Sequence, residues 1–294
     1  MSFESIEKEY YRKWFEEGLK DQALLMVEKA YKDYPEHHEQ LLLDLIMLYG
    51  QLKQVDKCKS YFNHALDKGY WYPSPYLNDI LFTHDYQEET VRWEELSKNL
   101  RKKPFIKVVK PINYKPTRAM PLVVSLHGWG EDLELFSKFW KSDLIDEDYV
   151  HLMVESSQQI GYKHFSWNDR ERAFKDVEKA IKDLKGRYAI GDIIFTGFSQ
   201  GATLAIDMAA NSKLKNIKGF IALCPDLPES IKDQELELKG TIITGDLDHA
   251  YESQVKLKDY LGCDFEVVKD FGHWFPEDLS ERLSRALRKI RNNS

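Results

Sequence analysis

Cysteine is scarce in this sequence, which has three in 294 residues: Cys58, Cys224 and Cys263. They are scattered singly, so the chain lacks both a disulfide framework and the paired spacing of a zinc site. We therefore expect buried thiols in a reducing environment, a cytoplasmic location, and neither a metal nor another cofactor.

Long apolar runs and basic runs are also missing. No stretch approaches the roughly 18–20 apolar residues that cross a bilayer, so we predict no membrane span. Met1–Glu9 is charged and lacks the apolar core of a signal peptide. The net charge is −7 and the only short basic run is Arg101–Lys103, so nucleic acid is not an expected partner.

Residues 1–103 have the apolar spacing of helices and are predicted to form an all-α domain of helical hairpins. Ala23–Pro35 and Cys58–Pro73 are similar at a shift of 35 residues, close to the roughly 34-residue tetratricopeptide period. Helices are predicted over Leu41–Leu52 and Val55–Lys68, among others. This region therefore resembles a degenerate set of tetratricopeptide repeats.

The function of this helical region stays open between two interpretations. It is either a lid or a surface that docks a protein partner, or an appendage that solubilises or dimerises the rest of the chain. The aromatic stretch Tyr70–Tyr76 fits both interpretations, as a binding rim or as core filler.

From Pro104 onward, strand-like and helical patterns alternate. Such alternation predicts an α/β domain over residues 104–294, with a mostly parallel sheet covered by helices on both faces. Phe105–Val109 and Ile112–Tyr114, between Pro111 and Pro116, are expected to pair as antiparallel edge strands. The later strands are predicted at Leu122–Leu126, Val150–Glu155, Asp192–Thr196, Ile217–Cys224, Thr241–Thr244 and Phe265–Lys269, and the helices at Ala173–Lys185, His249–Leu261 and Glu277–Ile290.

Gly197-Phe198-Ser199-Gln200-Gly201 lies between an apolar β-branched segment and a run of small helix formers. Strand, sharp turn and helix are the context of a G-x-S-x-G nucleophile elbow, in which a strained serine projects its hydroxyl from the sheet. The glycines are needed because side chains there would clash where strand and helix cross. Ser199 is therefore the candidate nucleophile.

A serine hydroxyl needs a base and an orienting acid, which follow it in the order acid, then histidine, in this architecture. His273, on the loop after the last predicted strand, is assigned as the general base, with His249 as the alternative. Asp248 is assigned as the acid, whereas Asp246 is expected to cap the turn.

The oxyanion of a tetrahedral intermediate needs N–H donors. The backbone amide of Gln200 is one candidate. The other is the amide of Trp129, in the loop His127-Gly128-Trp129-Gly130 after the strand Leu122–Leu126. His127 is expected to be structural.

With these motifs in view, residues 105–294 resemble the serine α/β-hydrolases, and within them the phospholipase/carboxylesterase group that includes acyl-protein thioesterases. The resemblance implies an α/β-hydrolase fold and metal-free hydrolysis of a small ester or thioester through an acyl-enzyme. The sequence departs from that group at Ala202, at Thr244-Gly245 and at Ala250-Tyr251.

Substrate contacts are predicted for Trp274, Trp167 and Asn168, because aromatic and polar residues lie beside the motifs. Two rival functions remain. One is a peptidase of the prolyl-oligopeptidase type, which shares the elbow and the triad order. The other is a non-catalytic scaffold that docks a partner through its helical repeats.

Overall fold

The structure is a computed structural model that describes residues 2–115, 117–228, 230 and 239–292, without the side chain of Glu16. Pro116, which bounds a predicted edge strand, lies outside the described residues. The chain divides into two compact units, of which one comprises Met1–Lys102 and Ile160–His164 and the other Lys103–Gln159 and Phe165–Ser294. None of the helices in the described residues has the length and apolar character that crossing a membrane requires.

The first unit is helical, as its spacing predicts. Its α-helices are α1 (Phe3–Tyr11), α2 (Lys20–Asp33), α3 (His38–Gln51), α4 (Val55–Asp67) and α5 (Gln87–Asn99). A π-helical turn continues α1 over Arg12–Glu16, and short 3₁₀ turns cover Pro35–His37, Ser74–Leu77 and His84–Tyr86. The predicted helices Leu41–Leu52 and Val55–Lys68 correspond to α3 and α4, whereas their membership of the tetratricopeptide class stays a prediction.

The core of the helical unit is formed by apolar side chains of α1 to α4 and of the segments around them, including Trp14, Tyr72, Leu77, Ile80, Leu81 and Tyr86. Leu41, Leu45 and Leu48 of α3 are fully buried, as is Phe62 of α4. Burial of each such side chain stabilises the fold by roughly 1.5–3 kcal/mol. Asp44 of α3 is a buried carboxyl group at this core, and it accepts a hydrogen bond from the Tyr10 hydroxyl at 2.7 Å.

The second unit is built on a sheet. Its strands are β1 (Ile106–Val109), β2 (Met120–Leu126), β3 (Val150–Val154), β6 (Ile190–Phe198), β7 (Ile217–Leu223), β8 (Gly240–Gly245) and β9 (Asp264–Val268). The chain also has a separate two-stranded pair, β4 (Gln158–Gly161) and β5 (His164–Ser166). In the described residues, seven strands form the main sheet in the order β1-β3-β2-β6-β7-β8-β9. Only β1 runs antiparallel there, so the predicted mostly parallel sheet is confirmed.

Helices cover both faces of this sheet. They are α6 (Leu133–Phe139), α7 (Asp143–Asp148), α8 (Arg170–Lys185), α9 (Gln200–Asn211), α10 (Tyr251–Leu261) and α11 (Leu279–Asn292). One face packs α6, α7 and α11 against side chains such as Val123 and Ile194. The other packs α8, α9 and α10 against the alternate side chains, such as Val124 and Phe195. Alternation along each strand thus supplies two apolar faces.

One predicted strand is wrong. Ile112–Tyr114 forms a turn, closed by a hydrogen bond from the Tyr114 N–H to the Pro111 carbonyl at 3.1 Å, and not an edge strand. The partner of β1 is instead β3, in antiparallel register. Proline fixes its own backbone angle and favours a turn, and Asn113 is itself a turn-forming residue, so Ile112–Tyr114 does not continue a ladder.

Candidate active site

Ser199 stands between β6 and α9 in a strained backbone conformation, with φ 51° and ψ −121°. Non-glycine residues seldom adopt a positive φ, and such strain concentrates at functional sites. The Ser199 N–H donates to the Leu223 carbonyl at 2.8 Å, and its own carbonyl accepts the Thr203 N–H at 3.0 Å. The turn is therefore fixed on both sides.

The two glycines of the elbow have no room for a side chain. A Cβ at Gly197 would lie 2.5 Å from the backbone of Gly201, and one at Gly201 would lie 2.3 Å from the carbonyl oxygens of Leu126 and His127. Both distances are far below any normal contact. The close crossing of strand and helix that the motif predicts is thus present in the structure.

Ser199, His273 and Asp248 converge from three loops at the carboxyl ends of the strands. Nε2 of His273 is 2.9 Å from Oγ of Ser199. Nδ1 of the same ring is 2.8 Å from Oδ2 of Asp248. This is the order of contacts that lets an imidazole take a proton from a hydroxyl while a carboxylate orients the ring.

Asp248 is buried, but its charged form is well supported. Burial opposes ionisation, yet hydrogen bonds from the Ala250 N–H and the Cys224 thiol, together with His273, hold the pKa of Asp248 below its ordinary value. The Ala250 N–H donates to Oδ1 at 2.8 Å, which leaves Oδ2 for the imidazole. Each carboxylate oxygen therefore has its own donor.

The two alternative residues lie nearby in other roles. Asp246 accepts the backbone N–H of Phe271 at 3.3 Å, which links two loops as a turn-capping carboxylate does. His249 is largely exposed, and its Nδ1 lies 3.5 Å from Oδ1 of Asp248. Neither contacts Ser199 in the described hydrogen bonds.

The loop His127–Gly130 follows β2 and is fixed by a buried histidine. The Ser156 N–H donates to Nε2 of His127 at 3.1 Å, so the ring proton is on Nδ1, which donates to the Gly128 carbonyl at 2.7 Å. Burial lowers the pKa of His127 to about 4, partly offset by that second bond. His127 is therefore a neutral ring that shapes the loop.

Gln200 begins α9, directly after Ser199. The first N–H groups of a helix have no acceptor within the helix and point toward its positive end, where they bind anions. Its side chain is held by two bonds: Oε1 accepts the Trp167 N–H at 2.7 Å, and Nε2 donates to Oδ1 of Asn168 at 2.9 Å.

Trp167 and Asn168 thus support the elbow through Gln200. Trp167 is 5% exposed, and its indole N–H donates to the His127 carbonyl at 2.9 Å. Asn168 is exposed. These contacts give both residues a framework role, and direct contact with substrate stays a prediction for them.

Trp274, by contrast, lies at the surface next to the candidate base. It is 48% exposed, and its ring stands edge-on to those of Phe139 and Phe198, with centroids 5.7 Å and 6.3 Å apart. Phe198 also lies 5.1 Å from the ring of His273. An apolar wall therefore borders the serine and histidine.

The sequence did not predict that Cys224 and Glu131 belong to the site. Cys224 follows β7 with a φ of 51° and lies beside Asp248. Glu131 follows the His-Gly-Trp-Gly loop, and its Oε2 accepts the Gly128 N–H at 2.7 Å. The position of Glu131 directly after a recognisable motif was an available signal, whereas nothing local to Cys224 indicates its neighbour.

One group of potential metal-ligand atoms coincides with this site. In the part of the chain that the structure describes, Cys224, Asp248 and His273 are the one group whose potential ligand atoms cluster, within 4.8 Å of one another. Burial and the neighbouring Asp248 raise the pKa of the Cys224 thiol, so the thiol keeps its proton and can donate it to Asp248. The imidazole of His273 and the carboxylate of Asp248 are hydrogen-bonded to each other.

Comparisons with known proteins bear on the fold. No protein-family model matches the chain, and no curated protein matches it. Among solved structures, an uncharacterised protein from Bacillus cereus ATCC 10987 is 23% identical with a TM-score of 0.53, each chain covering 100% of the other. Esterase PE8 is 22% identical with a TM-score of 0.50, over 64% of this chain and all of the esterase. These similarities confirm the predicted α/β-hydrolase fold.

Proposed function

We propose that this protein is a serine hydrolase that cleaves a carboxylic ester or thioester through an acyl-enzyme. The observation that carries the proposal is the pair of short contacts from Ser199 Oγ to His273 Nε2, 2.9 Å, and from His273 Nδ1 to Asp248 Oδ2, 2.8 Å. The strained elbow gives further support. Structural similarity to an esterase is consistent with this chemistry.

The first half of the reaction forms the acyl-enzyme. His273 Nε2 accepts the Ser199 proton as Oγ attacks the carbonyl carbon, and Asp248 stabilises the imidazolium. The negative charge moves to the carbonyl oxygen, where the amides of Gln200 and Trp129 are the proposed donors. The imidazolium then protonates the leaving alcohol or thiol as the carbonyl re-forms.

The second half repeats these steps with water. His273 removes a proton from water, the hydroxide adds to the acyl carbon, and a second oxyanion forms at the same donors. Collapse returns the proton to Ser199 Oγ and releases the carboxylic acid. No residue changes its net protonation over the cycle.

Covalent labelling tests the proposal directly. A fluorophosphonate probe is expected to label the wild-type chain and not Ser199→Ala. Ser212→Ala is the matched control, since the Ser212 hydroxyl bonds Glu178 at 2.9 Å at the far end of α9; it should label as wild type does. Labelling of Ser199→Ala, or none of the wild type, would contradict the proposal, and the second result favours a non-catalytic scaffold.

A substrate panel separates the ester hydrolase from the peptidase. p-Nitrophenyl esters of increasing acyl length and aminoacyl p-nitroanilides are assayed in parallel on the full chain. We expect turnover of the esters, and turnover confined to the amides would favour a prolyl-oligopeptidase-type peptidase.

The proposal extends to the organisation of the chain. Residues 104–294 are the catalytic domain of a cytoplasmic enzyme, and residues 1–103 are a tetratricopeptide-like domain that associates with a protein partner or a second copy of the chain. The succession of α3 and α4, with 14 and 13 residues, supports the repeat assignment. Light scattering on the purified chain tests self-association, and affinity capture on the full chain tests a partner.

A further inference from the structure

Glu131 is a buried carboxyl group at the end of the His-Gly-Trp-Gly loop. The residue is 6% exposed. Its Oε2 accepts the Gly128 N–H at 2.7 Å, whereas Oε1 is buried without a hydrogen-bond partner among the described residues. A buried polar atom without a hydrogen-bond partner lowers the stability of the fold. A carboxyl group at this position is therefore not explained by stability alone.

Hydrogen bonds fix four backbone groups of the loop before Glu131. The His127 carbonyl accepts the Trp167 indole, the Gly128 carbonyl accepts Nδ1 of His127, and the Gly130 N–H donates to the Phe165 carbonyl at 2.8 Å. The bond to Glu131 occupies the Gly128 N–H. That amide is thereby withdrawn as a competing donor, and the His127–Gly128 peptide plane is held in one orientation. The next plane, which carries the Trp129 N–H, is held through its Gly128 carbonyl by Nδ1 of His127.

Gly128 is also confined on its side-chain side. A Cβ there would lie 3.0 Å from Cδ1 of Phe198 and 3.1 Å from Oε2 of Glu131. The loop therefore packs between the elbow residue that precedes Ser199 and the carboxyl group of Glu131. If that carboxyl group moved, the Gly128 N–H would lose its acceptor and the loop could shift toward Phe198 and the elbow.

We propose that Glu131 is a positioning residue for the oxyanion loop, which sets the loop geometry that presents the Trp129 amide beside Ser199. This inference rests on the proposed hydrolase function. Glu131 acts through the loop backbone and does not touch the substrate. Its removal is expected to lower kcat rather than to raise KM, because the oxyanion exists only in the transition state and intermediates.

The charge of Glu131 supplies a signature that a purely structural residue lacks. Burial raises the pKa of Glu131 to about 7, against the Gly128 hydrogen bond, and the neighbouring Asp132 raises it further. Asp132 is the charged neighbour that acts on Glu131, and the buried His127 of the same loop is neutral. On the far side of the loop, Phe198 lies 5.1 Å from the ring of His273, which is paired with Asp248. Above neutral pH the ionised carboxylate opposes the developing oxyanion; in its acid form it does not.

Three variants test the proposal with p-nitrophenyl acetate between pH 5.5 and 9. Glu131→Ala removes the acceptor and is expected to lower kcat about 30-fold with KM within about threefold. Glu131→Gln keeps an acceptor oxygen without the charge, so its kcat at pH 6 should stay within about threefold of wild type. Its kcat relative to wild type should then rise about threefold or more between pH 6 and 8.5.

Glu155→Gln is the matched control. Glu155 is also a buried carboxyl group, and it accepts backbone amides that lie outside the loop, from Leu133 at 3.1 Å and Phe105 at 3.0 Å. The melting temperature of Glu155→Gln is expected to fall, while its kcat and the pH dependence of its kcat stay as in wild type. The same control corrects for any general loss of stability in the Glu131 variants.

Two results would overturn the inference while the hydrolase function stands: wild-type kcat in Glu131→Ala, or a Glu131→Gln enzyme whose kcat relative to wild type is the same at every pH. If Glu131→Ala does not fold, the pH ratio of Glu131→Gln decides. Absence of both ester turnover and fluorophosphonate labelling in the wild type would instead overturn the proposed function, and the inference with it.

Discussion

The imidazole of His273 and the carboxylate of Asp248 meet through a single oxygen, with Nδ1 2.8 Å from Oδ2. The other oxygen, Oδ1, accepts the Ala250 N–H at 2.8 Å. Because the backbone anchors one oxygen, the second is directed at the ring and cannot rotate freely. The orientation of the histidine is thereby built into the turn that follows β8.

Replacement of this acid should cost most of the activity. Asp248→Asn keeps the shape of the side chain but loses the charge that orients and stabilises the imidazolium, so kcat for p-nitrophenyl acetate is expected to fall about 10³–10⁴-fold. The melting temperature should change little, since Ala250 keeps an acceptor. Steady-state kinetics at constant pH measure the effect.

Asp246→Asn is the control for that prediction. Asp246 follows the same strand but bonds the Phe271 N–H at 3.3 Å and not the histidine. Its amide replacement should keep kcat within about threefold of wild type. A loss in Asp246→Asn equal to that in Asp248→Asn would mean that the acid has been assigned to the wrong residue.

Gly201, the second glycine of the elbow, should tolerate no side chain. A Cβ at Gly201 would approach the carbonyl oxygens of Leu126 and His127 to 2.3 Å. These are backbone atoms, so no side-chain rotation can relieve the clash. Gly201→Ala is therefore expected to lower the free energy of unfolding by about 3 kcal/mol or more, or to prevent soluble expression.

Gly186→Ala provides the comparison for this clash. Gly186 ends α8 at φ −68°, and a Cβ there would come no closer than 3.5 Å to the Asp183 carbonyl. It should be neutral or slightly stabilising in thermal unfolding. Equal melting temperatures for Gly186→Ala and Gly201→Ala would contradict the steric argument.

Local patterns were sufficient to predict the elements that carry the site. The elbow is a short strand–turn–helix whose signal lies within consecutive residues, and its geometry at Ser199 follows from the two glycines. The helix predicted from Ala173 begins at Arg170, because the Asp169 side chain accepts the Arg172 N–H as its N-cap. That capping pattern was present in the sequence.

Contacts between distant segments account for what the sequence could not predict. Cys224 lies beside Asp248 only because β7 and β8 are parallel neighbours whose loops share one edge of the sheet. The orphaned oxygen of Glu131 likewise depends on how the loop packs. The sequence did not predict the strands β4 and β5, because these short segments lack the alternation of apolar and polar residues that indicates a strand.

Trp274 is predicted to select substrates by their apolar groups. It is 48% exposed and borders Phe139 and Phe198 beside the candidate base. Trp274→Ala should lower kcat/KM for an aromatic acyl ester about tenfold, and for the acetate about twofold or less, because only the larger group loses contact area.

Trp274→Phe is the conservative replacement, and it should keep most of the preference for the aromatic acyl ester over the acetate. Phe82→Ala serves as the control for loss of an exposed ring, since Phe82 is 71% exposed in the helical unit. An equal loss on both esters in Trp274→Ala would show that the tryptophan supports the fold of the site rather than the substrate.

The helical unit should lose stability as pH rises from about 4 to 7. Burial raises the pKa of Asp44 to about 7, partly offset by hydrogen bonds from the hydroxyls of Tyr10 and Tyr11 and further raised by Glu7. An unfolded aspartate titrates near 3.9. Between these values the folded chain binds more protons than the unfolded chain, so the free energy of unfolding falls with increasing pH.

Asp44→Asn removes this titration. The full contribution of Asp44 is on the order of 4 kcal/mol for a difference of about three pKa units, present below pH 4 and lost by about pH 8. Urea unfolding of the wild type from pH 4 to 8 should show that decline, and Asp44→Asn should flatten it whatever its absolute stability. The exposed Asp33 at the end of α2 is the control, because Asp33→Asn should leave the slope unchanged. A wild-type slope that persists in Asp44→Asn would assign the pH dependence to another group.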